Sequence, residues 1–520
     1  MVTKPLNQER QEFSKIRAAL WPIHMAEMKK FLPMGFIMFF ILYNYTILRD
    51  TKDALIITHP TAGAEVIPFL KGYIVLPCSI LFVILYSKLA NILSRETLFY
   101  TVVSGFLVFF ALFAFYFYPH QHDIHPDPAY IQALKDAYPN FKFIFPVYGL
   151  WTYSAFYVLS ELWGSVGIAL LFWQFANEIT RTPEAKRFYA MFGLIANFSL
   201  IASGFTVRYL SAIRESMPAG VDAWGVSLNY MMSAVVLAGI GAMVVYRWMN
   251  TTVLTDPRYY DAAETIKSPT KEKKPKLSVL ESFKYLFTSK YLGLIAILVL
   301  AYGLSINLVE IVWKKQLGLQ YPNPNDYSAF MGGFSATTGV ATILIIMLFK
   351  GVVGKYGWFR GAIITPVMVL VTAIAFFSFI FFNEWMSPMV AAFGTTAGMM
   401  AVWIGAAQNI LSKGTKYSLF DPTKEMAYIP LDQELKVKGK AAVDVIGGRL
   451  GKAGGGYVVS TMLMVTAGSI ASVAPYLAVV VVIVTLAWMY AVSALNRQYN
   501  NLINKPQGNG SNQPQEKKVA

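Results

Sequence analysis

KAAVDVIGGRLGKAGGGYVVSTML, residues 440–463, carries Asp444, Arg449 and Lys452 inside an otherwise apolar run. The run continues past Ala467. At about 1.5 Å per residue it is long enough to cross a bilayer, which puts Lys452 near mid-membrane. At about 100° per residue the three charges fall within about 140° of one another, so all can face one cavity and none need face lipid. Glycines at 447, 448, 451, 454, 455 and 456 allow another helix or a ligand to approach the backbone closely. An ionisable group at that depth costs several kcal/mol without a partner, so the stretch reads as a functional site.

Two other readings of GGRLGKAGG fail. A phosphate-binding loop needs glycine five residues before Gly451, where Ile446 stands, and Ser or Thr after the lysine, where Ala453 stands. Snorkelling of Lys452 to the headgroups suits a helix end, and this lysine is too deep for it.

The whole chain extends the same reading. It has 520 residues, of which 56% are hydrophobic and 14% charged, whereas soluble domains average about 25% charged. The class is an all-α polytopic membrane protein. Cys78 is the only cysteine, so neither an intramolecular disulfide nor a cysteine metal site is possible. The net charge of +15 is spread over loops and not gathered on one face, which argues against nucleic-acid binding. Residues 1–30 are polar and mix acids with bases, unlike a cleavable signal or a plastid import peptide, so a bacterial inner membrane is the expected location.

Apolar runs predict twelve spans, at roughly 31–56, 64–89, 97–118, 144–177, 187–211, 227–249, 291–313, 327–350, 358–383, 387–411, 438–467 and 472–494. Placing both termini in the cytoplasm puts the basic segments 1–30, 247–290, 413–440 and 497–520 on one side, as the positive-inside rule requires. The polar run containing SPTKEKKPK separates two sets of six. AKRFYAMFGLIAN in the fifth span and GKAAVDVIGGRLGK in the eleventh echo each other, each with a basic residue seven before a glycine. The expected organisation is a cytoplasmic segment 1–30, six-helix bundles at 31–250 and 291–495, a cytoplasmic linker at 251–290 and a disordered tail at 496–520. That is the major facilitator-like 6+6 arrangement, with its site at the midplane between halves. After the tenth span, Asp421-Pro422 predicts an N-cap and first turn of a short cytoplasmic helix.

Charges recur at depth in other spans. The first ends in Arg49, Asp50, Lys52 and Asp53 after eighteen uncharged residues. Glu161 sits mid-span in VLSELWGSVG, and Glu310 lies one turn before Lys314 in SINLVEIVWKK. Trp163 reads as packing, and Asn197 as a hydrogen-bonding partner between helices. Together these give a cavity with Lys52, Arg449 and Lys452 to hold phosphates, and with Arg49, Asp53, Glu161, Glu310 and Asp444 as charge-balancing or gating groups. Arg offers a planar fork and Lys a mobile point charge, a combination suited to polyphosphate. In the empty site the glutamates pair with the cations, and substrate displaces them. HQHDIH, residues 120–125, reads as a solvated loop between prolines, so no metal site is expected.

The strings ILRDTKDALIIT, SELWGSVGIALLFWQFANEIT, EAKRFYAMFG, LFDPTKEMAYIPLD and DVIGGRLGKAGG resemble the ATP:ADP antiporters of obligate intracellular bacteria and plastids, the chlamydial members most of all. The mitochondrial carriers, shorter and built of three repeats, are a different family. The resemblance implies exchange of host ATP for bacterial ADP, with phosphate accompanying it in plastid relatives, and no catalytic residues. It also implies roles in exchange for a lysine in RDTKD, a glutamate in SELWGS, a glutamate in the seventh span and a lysine in LGKxGG. Here those are Lys52, Glu161, Glu310 and Lys452. Arg449 lies outside those motifs and rests on geometry alone. Asn197 and Phe198, beside KRFYAMFG, are the choice for the adenine side. The expected partners are ATP, ADP, phosphate and the bilayer, with no cofactor, for a protein acting as a monomer. A proton-coupled nucleotide importer on the same fold is the alternative. A membrane enzyme lacks an acid/base constellation here, and a scaffold leaves the buried charge unexplained.

Overall fold

The computed structural model describes residues 14, 17, 21–218, 220–260, 289–431 and 439–503. Within the helices, the side chains at 182, 183, 186, 441, 442, 444–450 and 452 are not described. The proposed linker core and tail, at 261–288 and 504–520, therefore lie outside the described residues, as do the side chains of Asp444, Arg449 and Lys452.

Among the described residues twelve helices make up the membrane bundle, ten of them long and apolar enough to cross a bilayer by length and composition. In the first half they are α1 (Met28–Ile57), α2 (Ala64–Ile92), α3 (Arg95–Phe117), α4 (Trp151–Ile179), α5 (Thr182–Ala212) and α6 (Ala223–Val253). In the second they are α7 (Lys290–Gln320), α8 (Pro324–Phe349), α9 (Trp358–Phe381), α10 (Ala397–Thr415), α11 (Lys440–Thr466) and α12 (Ile470–Ile503). Polar side chains set several of these starts. Asp222 accepts from Gly225 N at 3.0 Å, Asn323 from Asn325 N at 2.9 Å and Thr396 from Met399 N at 3.1 Å, each satisfying an N–H that the helix leaves unpaired. α11 stops at Ala467, which takes a left-handed φ of 47°.

Three boundaries differ from the sequence reading. The fourth span was expected from 144, but the chain breaks at Leu150 (φ −117°, ψ 48°), and Phe145–Gly149 is a separate short helix. The tenth was expected from 387. There Asn383–Ala391 is a separate helix, and the crossing begins at Ala397. Asp421 is not an N-cap either. α10 runs on through a π turn at Lys416–Phe420 into Asp421–Ala427, and the Asp421 carboxylate takes Lys416 Nζ at 2.6 Å. Pro422 has no N–H to give a preceding carbonyl, and the turn ahead of it is widened instead of capped.

Because alternate helices reverse, the start of α1 and the end of α12 lie on one face, called here the terminus face. The loop 58–63 lies on the opposite, distal face. The halves meet where α5 packs on α8, α11 on the start of α2, and α1 on α7 and α8. The α5–α8 contact depends on Gly204, where an added Cβ would stand 2.5 Å from Ala336 N and 2.6 Å from Gly332 O. On α11, Gly451 lies against α7: a Cβ at Gly303 would meet its Cα at 3.0 Å. Of the glycines in the stretch first quoted, Gly451 and Gly456 thus lie close to a neighbouring backbone, whereas an added Cβ at Gly454 would meet nothing within 4 Å.

Candidate functional site

α1 carries its four charges in one turn on the distal side of its midpoint. Asp50, Lys52 and Asp53 are each 2% exposed or less. Burying them requires partners, and the structure supplies these from both halves. Lys52 Nζ lies 2.8 Å from Asp53 Oδ1 and 3.0 Å from Glu161 Oε1 of α4, and 3.9 Å from the centre of the Tyr157 ring. The other Asp53 oxygen, Oδ2, is 2.9 Å from Lys314 Nζ of α7, which in turn holds Glu310 Oε1 at 2.6 Å across one helical turn. The result is an unbroken chain of ion pairs, Glu161–Lys52–Asp53–Lys314–Glu310, joining α4, α1 and α7. Its lysines are enclosed, while the Glu161 and Glu310 side chains keep 29% and 30% exposure at the two ends.

A second link crosses the halves one turn away. Arg49 Nη2 lies 2.8 Å from Asp50 Oδ1 and donates to Ser335 Oγ of α8 at 2.7 Å, while Ser335 donates to Asp50 Oδ2 at 2.8 Å. Nearer the distal face, Lys315 Nζ is 2.8 Å from Glu65 Oε1, Tyr457 donates to Gly72 O at 2.8 Å, and Arg214 pairs with Asp326. Asn325 donates to Ser227 Oγ at 2.7 Å. The loop between α3 and α4 adds Asn140 Nδ2 to Met464 O and Lys142 Nζ to Ala467 O, both at 2.6 Å. These cross-half bonds gather on the distal side, so that side is closed.

On the terminus side of the chain of ion pairs lies a cavity of about 190 Å³, partly open to solvent. Arg49, Asp53, Glu310, Lys314, Asn409 and Lys413 supply its charged and amide groups, and Tyr302, Trp313 and Phe334 its aromatic walls. A smaller space between α2, α7 and α11 is lined by Lys71, Asn307, Glu310 and Lys314 with Gly455 and Gly456.

Sequence reasoning placed Lys52, Glu161, Glu310, Arg49 and Asp53 together, and the structure brings them into one cluster. It gave Glu310 a cation of the phosphate-holding set, whereas the observed partner is Lys314. Asp444, Arg449 and Lys452 sit on α11 with side chains outside the described residues, Lys452 one residue from that helix's midpoint. Asn197 was expected to bond a neighbouring helix, but its Nδ2 donates to Gly193 O of its own. Phe198 is 52% exposed and lies about 160° around α5 from Leu200, which faces the cavity. Trp163 is packing, as expected, with Nε1 donating to Ile41 O at 3.0 Å. Among the described residues no group of three His, Cys, Asp or Glu is placed to hold a metal. His125 instead pairs with Thr152 at 2.7 Å.

Lys314, Ser335, Lys71 and Lys413 were missed. The i, i+4 spacing of Glu310 and Lys314 was a usable signal. Lys413 was assigned to a cytoplasmic segment because the tenth span was ended at 411, two residues too early.

A family profile described as TLC ATP/ADP transporter matches residues 6–499. The ADP,ATP carrier protein 1 of Chlamydia pneumoniae is 51% identical over 94% of this chain and 95% of its own length. The chloroplastic ADP,ATP carrier protein 1 of Arabidopsis thaliana is 47% identical over 93% of this chain and 76% of its own. Among solved structures, a bacterial homologue of the iron transporter ferroportin in an inward-facing state superposes with a TM-score of 0.56 at 12% identity, covering 93% of this chain and all of that one. At that identity the likeness is one of fold.

Proposed function

The chain belongs to the TLC ATP/ADP transporter family, and from that premise we propose that it exchanges ATP for ADP across a bacterial cytoplasmic membrane by alternating access. Membership makes it a transporter and not an enzyme. The observation that carries the mechanism is the Asp53–Lys314 pair at 2.9 Å, which ties the two halves together beside an open cavity.

In this reading the terminus face is cytoplasmic, supported by the basic residues concentrated there. Around the cavity the described cations are Arg49, Lys52, Lys71, Lys314 and Lys413, against Asp50, Asp53, Glu161 and Glu310. The surplus positive charge resists closure of the empty halves. A nucleotide's phosphates neutralise it and compete with Asp53 and Glu161 for Lys314 and Lys52, loosening the distal closure while the terminus side closes. Lys452 and Arg449 of α11 join them as phosphate ligands, and Asp444 balances their charge. The empty carrier, held by its own ion pairs, does not reorient, and this makes exchange obligatory. Phosphate accompanies the nucleotide as a further anion of the same site.

Purified protein in liposomes tests this. Labelled ATP is expected to enter vesicles loaded with ADP and not empty ones, whatever the proton gradient. Entry into empty vesicles driven by the gradient would replace exchange with proton-coupled import.

A further inference from the structure

We propose that Lys413 of α10, acting with Arg49 of α1, forms a phosphate-binding clamp on the terminus side of the cavity, separate from the lysines of the ion-pair chain. The inference rests on the nucleotide-exchange reading and assigns residues to one of its steps.

Lys52 and Lys314 each already hold two carboxylates. A phosphate reaches either only after displacing one. Lys413 differs, since it lines the same cavity and makes no hydrogen bond or ion pair among the described residues. The partly buried side chain stands two residues from the α10 C-terminus, on the route from the terminus face to the ion pairs. Arg49, across the cavity on the other half, spends Nε and Nη2 on Asp50 and Ser335, leaving Nη1 without a hydrogen bond among the described residues. Two cations with spare donors, one per half, lining a single cavity, are unfavourable together until an anion lies between them. Guanidinium and ammonium groups suit phosphate oxygens by charge-assisted hydrogen bonds.

The rest of the cavity wall supports an entering nucleotide. Ser412, Asn409 and Tyr302 neighbour Lys413, and Tyr302 OH lies 3.3 Å from Ser412 Oγ. Lys413 thereby meets phosphate first, before the ion pairs of α1 and α7 are disturbed. An anion bridging Lys413 and Arg49 also draws α10 toward α1 across the interface, the direction that closes the terminus side.

The test is binding of labelled ATP to purified protein in nanodiscs, with inorganic tripolyphosphate as competitor. Lys413→Gln is expected to weaken ATP binding roughly ten- to hundredfold, the range for one charged hydrogen bond, and to weaken tripolyphosphate competition in parallel. Lys413→Arg should stay within about threefold of wild type. In a Cys78→Ser background, Lys413→Cys should regain affinity on aminoethylation, which restores a positive charge, and not with an anionic reagent of similar size. That readout also serves if the glutamine variant does not fold. Wild-type affinity in Lys413→Gln, or equal recovery with either reagent, overturns the clamp and leaves nucleotide exchange standing. Failure of the wild type to bind ATP overturns both.

Discussion

Lys314 of α7 holds Asp53 of α1 at 2.9 Å, and each is at the same time paired within its own half, with Glu310 and Lys52. The two halves therefore share a carboxylate between two enclosed lysines. Removing one member leaves the others buried and uncompensated, at about 3–5 kcal/mol. Lys314→Gln and Asp53→Asn should each lower thermal stability by that order and slow exchange. The double variant should cost less than the sum of the two. Additive losses in a double-mutant cycle would show that the pair is not coupled.

At the near end of the same chain, Glu161 keeps partial exposure while Lys52 does not. Glu161→Gln should be milder in stability than Lys52→Gln, because Lys52 retains Asp53 and the Tyr157 ring. Exchange should fall in both. Melting curves and initial exchange rates, compared side by side, decide it, and equal destabilisation would argue against Asp53 as Lys52's principal partner.

Distal closure depends on backbone approach at Gly204, which leaves no room for a Cβ beside Ala336 N. Gly204→Leu should prise α5 from α8, costing at least about 1–3 kcal/mol, and should let labelled reagents reach the cavity from the distal side without nucleotide. Gly105, with nothing within 4 Å of an added Cβ, is the control. A Gly204→Leu protein as tightly closed as wild type would contradict the role given to this contact.

His59, in the distal loop between α1 and α2, is pushed down to about 4 by burial first and then by the neighbouring charges of His125 and Lys135. Its folded pKa is below the unfolded value of about 6.5. The unfolded chain therefore binds more protons between those values, and stability falls as pH drops from about 6.5 toward 4. His59→Gln should flatten that part of the stability curve. An unchanged acid limb would assign the loss to other groups.

Much of this was legible in the sequence, because bilayer depth follows from counting residues. The positions of Lys52, Glu161 and Glu310 in their spans were enough to set them together. Which way a side chain faces is not in the count. Asn197 and Phe198 are adjacent to a recognisable motif, yet one bonds its own helix and the other points about 160° away from the cavity-facing Leu200. Lys413 was lost for a different reason. Hydropathy falls where a helix becomes polar, and α10 continues as a helix past that point, through a π turn to Ala427.

The central claim is that the empty carrier is held closed on its distal side and that nucleotide releases it. Spin labels at Tyr138 and Val465, exposed on opposite halves of that face, in a Cys78→Ser background, measure this directly. Without nucleotide a single short distance is predicted, and with ADP a second, longer population should appear. A distribution that ADP leaves unchanged, or one already showing both distances in the empty protein, would contradict it.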